Sequence, residues 1–360
     1  MPKVVMFSDQ FLPTFPYLDL PLFNDIKSRG IDIVYILQDG DHRLVEPSLS
    51  ATYKALNPTV VRKTSEVLSY ISKDDLLVER FAYKGVAADV ANHAKHAKRK
   101  ILMLDPAAID IRVRQCPAQY VTAKSKYMKL EILKKFSYTG IFTTGTIHFD
   151  AAATTQVDRD EFMKSYGLNP SKKLALLTPA NPAEANHQTG VDNEYEQIAA
   201  IVKNQCPDYE LMIKAHPMDY TAKIPPRPGI VHKHEYYKGS YSWEKFAPGA
   251  VVVKAEEGYK AFKACDVVLN VRSSIAMETP LFYKPLLNIN RSKYTTNWPY
   301  SATAMIDIEL GELAAVLNTN SYSANVEGCN KYIAEHCLSN DGKAYFRTAN
   351  AIVKILKGEV

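Results

Sequence analysis

The sequence predicts an α/β protein built from two successive parallel-sheet domains. Two observations carry that reading. Short β-branched runs alternate with helical patterns along the 360 residues, as in βαβ units. The alternation runs once to about Asp150, breaks, and starts again, with no sequence repeat between the two series.

In the first series, strand-like runs stand at Val4–Phe7, Ile31–Leu37, Leu76–Val78, Ile101–Leu104 and Ile141–Thr143. Helical patterns lie between them at Leu20–Ser28, Lys63–Ile71, Val86–Lys98 and Ala123–Phe136. A helix over Val157–Gly167 and the turn Leu168-Asn169-Pro170-Ser171 then mark the change of domain. The second series offers strands at Leu174–Leu177, Leu211–Ile213, Ile230–His232, Val251–Val253, Val267–Leu269 and Leu286–Ile289. Its helices are expected at Asn193–Lys203 and Tyr259–Cys265, then near Ile308–Leu317, Val326–Cys337 and Lys343–Leu356. The domains are therefore placed at 1–155 and 156–338, with 339–360 as a final helix.

Composition narrows the class. A 46% hydrophobic share with 23% charge is that of a globular chain with a real core. The net charge of +5 suits an anionic small-molecule partner and is too weak to argue for nucleic acid. The five cysteines are odd in number and lack metal-ligand spacing, so reduced thiols and a cytoplasmic setting are expected. The first residues run straight into a strand, unlike a signal peptide, and no apolar run approaches bilayer length.

Ligands bind parallel sheets at the carboxyl ends of their strands, so the strand-end residues are the candidates. Ser273 and Ser274 follow Val267–Leu269 where a helix is expected to begin, and such an end attracts anions. Arg272 precedes them, and Glu278 lies on the helix so opened, which Lys284-Pro285 should end. Lys214-Ala215-His216-Pro217 follows another strand, placing a cation and an imidazole where they can donate to phosphate oxygens. Thr178, in a rigid two-proline loop, offers a hydroxyl. Asp9 ends the first strand, where it serves as a general base or as a turn residue binding local backbone. Thr143 to Asp150 reads as a segment steering the chain between domains. Asp39-Gly40-Asp41 reads as a turn rather than a metal site, and Asp74-Asp75 as a turn leading a strand. The lysine-rich stretch Lys124–Lys135 reads as a solvated face, with contact to an anionic membrane or a charged glycan as the alternative. The Tyr236–Trp243 cluster reads as packing, with ring stacking on a base or sugar as its alternative.

Taken together these segments resemble the GT-B nucleotide-sugar glycosyltransferases, in the branch of the CDP-glycerol glycerophosphotransferases and UDP-GlcNAc 2-epimerase-like proteins. The carriers are Thr144-Gly145 to Asp150, Lys214-x-His216-Pro217, Asp266 to Ser274, Glu278 with Lys284-Pro285, and Asp341-Gly342-Lys343-Ala344. The similarity covers roughly residues 140–356; the N-terminal half matches in pattern only. It implies two Rossmann-like domains facing across a cleft, the last helix returning to the first domain. It also implies that Ser273 and Ser274 hold a donor diphosphate, His216 stabilises the leaving phosphate, and Glu278 binds ribose hydroxyls. The expected activity is metal-independent sugar transfer from a UDP- or CDP-linked donor to a glycan or polysaccharide hydroxyl, with no cofactor beyond the nucleotide sugar. The alternatives are a polyol-phosphate transferase, a sugar-nucleotide epimerase and a non-catalytic nucleotide-binding module. Two departures stand out: Ser8-Asp9-Gln10 replaces the Gly-x-x-x-His loop of the glycerophosphotransferases, and Met277 replaces the first of the epimerases' paired carboxylates.

Overall fold

The computed structural model describes residues 2–8, 15–38, 55–61, 64–80, 95, 100–104, 118–179, 191–215, 247, 249–254, 257–289 and 305–360. The chain divides into two compact units, one of Met1–Ala151 with Ile333–Val360 and one of Ala152–Tyr332.

The first unit carries a parallel sheet of seven described strands in the order β3-β2-β1-β4-β5-β6-β7. These are β1 (Val4–Ser8), β2 (Ile33–Gln38), β3 (Thr59–Val61), β4 (Leu76–Arg80), β5 (Lys100–Leu104), β6 (Tyr120–Ala123) and β7 (Gly140–Thr143). Val4, Val5, Met6 and Phe7 are all buried, as a strand covered on both faces requires. Val5 and Phe7 join one core with Val67, Ile71, Met128 and Ile132. Val4 and Met6 join the opposite core with Leu22, Ile26 and four residues of the last helix, Ala344, Ala349, Ile352 and Ile355.

The helices of this unit are α1 (Phe15–Ser28), α2 (Thr64–Ser69), α3 (Lys126–Lys135), α4 (Ile147–Thr154), in which the unit boundary falls, and α10 (Ala344–Lys357). The expected helix over Ala123–Phe136 begins later, because Tyr120–Ala123 is strand and Ser125 caps α3 by accepting from the Met128 N–H at 3.1 Å. Helix α10 is capped from far away. Its own cap residue, Lys343, makes no side-chain cap bond. Instead the Asp150 carboxylate accepts from the N–H groups of Ala344 at 2.9 Å and Tyr345 at 2.8 Å. Along the helix, Arg29 donates to Asn350 Oδ1 at 2.6 Å. The helix ends at Gly358, whose φ of 70° favours glycine.

His336 lies in a π-helical turn, Ile333–Cys337, edge-on to Tyr127 of α3. Burial, and then the Lys124 ammonium, push its imidazole below the ordinary histidine value, against a weaker opposing pull from Glu335. The fold therefore prefers neutral His336. Its contribution to stability is complete above the unfolded value of about 6.5 and is lost as pH falls below it. The melting temperature is expected to drop between pH 7 and pH 5, and His336→Asn should flatten that drop. An unchanged slope in the variant would remove His336 as its source.

The second unit has helices α5 (Arg159–Ser165), α6 (Val191–Gln205), α7 (Gly258–Ala264), α8 (Leu313–Thr319) and α9 (Val326–Tyr332). Its parallel sheet runs β10-β9-β8-β11-β12-β13. The strands are β8 (Lys173–Thr178), β9 (Tyr209–Ile213), β10 (Val251–Val252), β11 (Val267–Asn270), β12 (Leu286–Ile289) and β13 (Ile306–Ile308). Tyr195, Ile198 and Val202 of α6 and Leu313 and Leu317 of α8 cover one face. Two expectations change here. Ile308 does not open a helix: Ile306-Asp307-Ile308 pairs with β12 as the outermost described strand on that side, and α8 starts only after a 3₁₀ turn with a Glu309/Glu312 capping box. The expected helix after Ser273 is also absent. Two 3₁₀ turns, Ser274–Met277 and Thr279–Phe282, replace it, with Glu278 between them. Pro280 accounts for this, since it lacks an N–H and its ring would strike the carbonyl four residues back. The segment stops at Tyr283 in the left-handed region, φ 54°, ahead of Lys284-Pro285.

The expected strand Ile230–His232, the expected helix Val86–Lys98 apart from residue 95, the Asp39–Asp41 turn and the Tyr236–Trp243 cluster lie outside the described residues.

Candidate functional site

Numbered among the described strands of the second unit, the order is 3-2-1-4-5-6. The direction of winding reverses between the first and fourth strands, here β8 and β11, and a doubly wound sheet binds its ligand at that reversal. Thr178 closes β8 and Asn270 closes β11, in register with each other. Lys214 follows β9, the other neighbour of β8, and its N–H donates to the Leu177 carbonyl at 2.9 Å. Thr178, Lys214, Arg272 and Ser273 thus share the carboxyl edge of three adjacent strands.

The turn after β11 is sharp. Val271 still bonds to β8 through its N–H to the Thr178 carbonyl at 3.1 Å, and Arg272 then takes a left-handed φ of 57°. A non-glycine residue pays about 1 kcal/mol or more for that conformation. The Arg272 guanidinium is held by Glu194 of α6 at 3.0 Å, with side-chain exposures of 18% and 15%. Ser273 is buried, and its carbonyl accepts from Ala276, opening the first 3₁₀ turn. So short a turn has no appreciable macrodipole, and an anion here would be held by local N–H groups and by Arg272. The side chain of Ser274 lies outside the described residues, as do Asp9 and His216 altogether.

Glu278 is nearly buried and accepts from the Tyr259 hydroxyl at 2.6 Å. Burial, and then the Glu278 charge, push the Tyr259 hydroxyl well above its ordinary range, so it remains a donor. Tyr259 in turn stacks on Phe282, which stacks on Phe262. The carboxylate expected to meet a ribose is thereby fixed from α7. The Lys214 side chain lies over Gly258, the first residue of α7. A β-carbon there would stand 2.9 Å from Lys214 Cε, so a side chain at 258 would displace the lysine.

One arrangement had no signal in the sequence. Thr178, Asn270, Asn288 and Asp307 stand in register across β8, β11, β12 and β13. Thr178 Oγ1 donates to Asn270 Oδ1 at 3.0 Å, Asn270 Nδ2 to Asn288 Oδ1 at 3.2 Å, and Asn288 Nδ2 to Asp307 Oδ1 at 2.8 Å. The direction is forced from one end. A carboxylate only accepts, so Asn288 must turn its amide nitrogen toward Asp307 and its oxygen toward Asn270. Asn270 must then present its oxygen to Thr178. The Thr178 hydroxyl proton is therefore engaged within the protein, and donating it to a phosphate would break the ladder. Among the described residues, no three His, Cys, Asp or Glu side chains gather as metal ligands.

No protein-family model and no curated protein matches the sequence. Solved structures do match it, along nearly the whole of both chains. The S. aureus MnaA structure with UDP is similar at TM-score 0.64 and 15% identity, covering 99% of this chain and 97% of that one. A UDP-GlcNAc 2-epimerase from Neisseria meningitidis bound to UDP-GlcNAc gives TM-score 0.62 and 12% identity over 98% and 100%. The wall teichoic acid polymerase TagF gives TM-score 0.62 and 12% identity over 100% and 90%. At such identities the likeness is one of fold: the chain has the two-unit, parallel-sheet architecture of the GT-B type shared by these UDP-GlcNAc 2-epimerases and TagF.

Proposed function

We propose that the second unit binds a nucleoside-diphosphate sugar at the β8/β11 reversal and that the protein is an enzyme transferring the sugar to a hydroxyl of a glycan or polysaccharide. The observation that carries this reading is the strained turn at Arg272, placed at the winding reversal beside Lys214. Strain kept at a ligand-binding edge is a mark of function. Arg272 and the N–H groups around Ser273 and Ser274 hold the diphosphate, and Lys214 adds charge. His216 stabilises the leaving phosphate, and Asp9 takes the acceptor proton. Fixed donors of this kind favour the charge that develops as the glycosidic bond breaks. Glu278, steadied by Tyr259, meets the ribose.

A second reading, epimerisation of the sugar nucleotide, is favoured by the fold neighbours that are 2-epimerases. The two separate on products. Transfer releases free nucleotide only when an acceptor hydroxyl is present; epimerisation yields an isomeric sugar nucleotide without one. A polyol-phosphate donor would leave phosphorus in the product.

The site itself is tested by calorimetry and thermal shift with UDP, CDP, GDP and dTDP. One of these should raise the melting temperature. Arg272→Gly removes the guanidinium while easing the left-handed backbone. It should leave the fold intact and weaken that nucleotide about tenfold or more, the scale of one charge-assisted bond. Unchanged affinity in both Arg272→Gly and Lys214→Ala would move the nucleotide elsewhere.

A further inference from the structure

We propose that helix α3 is a docking surface for an anionic lipid bilayer. Its inner face is accounted for: Met128 and Ile132 are buried in the core of the first sheet. Its outer face carries Leu130 at 58% exposure, Leu133 at 55% and Tyr127 at 42%, the tyrosine ring also touching His336. At 3.6 residues per turn, Tyr127 and Leu133 lie about 60° to either side of Leu130, so the three form one patch. They are three of the eight exposed large apolar side chains among the described residues, so this helix concentrates what the rest of the surface scatters.

Charge decides the occupant. The helix sequence KYMKLEILKK sets four lysines against one glutamate. Lys126 and Lys134 lie about 40° from Leu130, inside the apolar patch rather than around it. Both are exposed, Lys134 while bonded to Glu131 at 2.6 Å. A protein partner disfavours this mixture, because the core of a protein interface is depleted in lysine. A bilayer surface favours it. Leucine and tyrosine enter the boundary of headgroups and acyl chains, while lysine stems run along them and lift their ammonium groups to the phosphates. Among the described residues no helix is long and apolar enough to cross a membrane, so the contact is of the peripheral kind. This inference is independent of the nucleotide reading, since it involves only the first unit.

The test is co-sedimentation of the full chain with vesicles of phosphatidylcholine and phosphatidylglycerol at 3:1, against pure phosphatidylcholine. The protein should pellet with the anionic vesicles, less so with neutral ones, and be released by salt. Each lysine contributes about fivefold to partitioning onto an anionic surface. Lys126→Gln with Lys134→Gln, the two lysines inside the patch, should therefore cost about 25-fold. Leu130→Ser with Leu133→Ser should reduce binding at least tenfold, with circular dichroism unchanged because both side chains face outward. Wild-type protein that stays in the supernatant with anionic vesicles would overturn the proposal. So would pelleting untouched by the double leucine variant, or a dimer in sedimentation velocity that the same variant dissociates.

Discussion

Asp150→Ala is expected to release helix α10 from the first unit. The carboxylate accepts from the N–H groups of Ala344 and Tyr345 in the first turn of that helix, and it is buried. Alanine leaves two N–H groups without acceptors, at a cost of about 2–4 kcal/mol. The same site makes Asp150→Asn mild. Burial pushes the Asp150 carboxyl up more than the two N–H donors pull it down, so its ionised form carries a penalty in the fold. Its stabilising contribution is full below the unfolded carboxyl value and declines as pH rises through the folded one. A neutral amide escapes that penalty but accepts from only one of the two N–H groups, its NH2 facing the other, so it should cost about 1–2 kcal/mol, less than alanine. Hydrogen exchange at the Ala344–Lys357 amides reads the difference directly, by local opening of one helix. Equal protection in wild type and the alanine variant would show that apolar packing alone holds the helix.

Asn288→Leu should be nearly as damaging, by a different route. It removes the middle of the Thr178–Asn270–Asn288–Asp307 ladder and leaves the fully buried Asn270 amide without its acceptor. The expected loss is about 2–4 kcal/mol. It also removes the constraint that turns Asn270 oxygen toward Thr178. The Thr178 hydroxyl can then rotate, and nucleotide affinity should shift in the same variant. Asp307→Asn is the informative companion. Asp307 is exposed, so stability should move by less than about 1 kcal/mol, while the ladder loses the group that sets its direction. Denaturant midpoints and nucleotide titrations give the two readings. A leucine variant as stable as wild type would mean the ladder is incidental to the sheet.

Much of this framework was legible in the sequence because buried parallel strands announce themselves. Val4–Phe7, Leu174–Leu177 and Val267–Leu269 are apolar on both faces and were read within a residue or two. Tyr120–Ala123 was missed because it is four residues long and runs into a lysine and a capping serine. Ile306–Ile308 was missed because this outermost described strand alternates, and three residues cannot separate that alternation from the first turn of a helix. At the site, the polar residues after each strand were legible as types, but their partners were not. Arg272 meets Glu194 and Thr178 meets Asn270 across long sequence separations, and Asn270 and Asn288 look like ordinary strand-end residues until the register aligns them. Pro280 is the sequence signal that separates the two short turns after Ser273 from a continuous helix.

The first unit also has a consequence for the order of assembly. Its final helix is encoded after the whole second unit, and Arg29 waits for Asn350. The residues of the second unit are contiguous, from Ala152 to Tyr332. During synthesis from the N-terminus, the second unit can close on itself while one face of the first sheet, with Val4, Met6, Leu76 and Val78, still lacks the part of its cover that the last helix supplies. The segment made first is thus among the last to be completed. A nascent chain halted before Ala344 would leave part of that apolar face open to chaperones even with its second unit already folded.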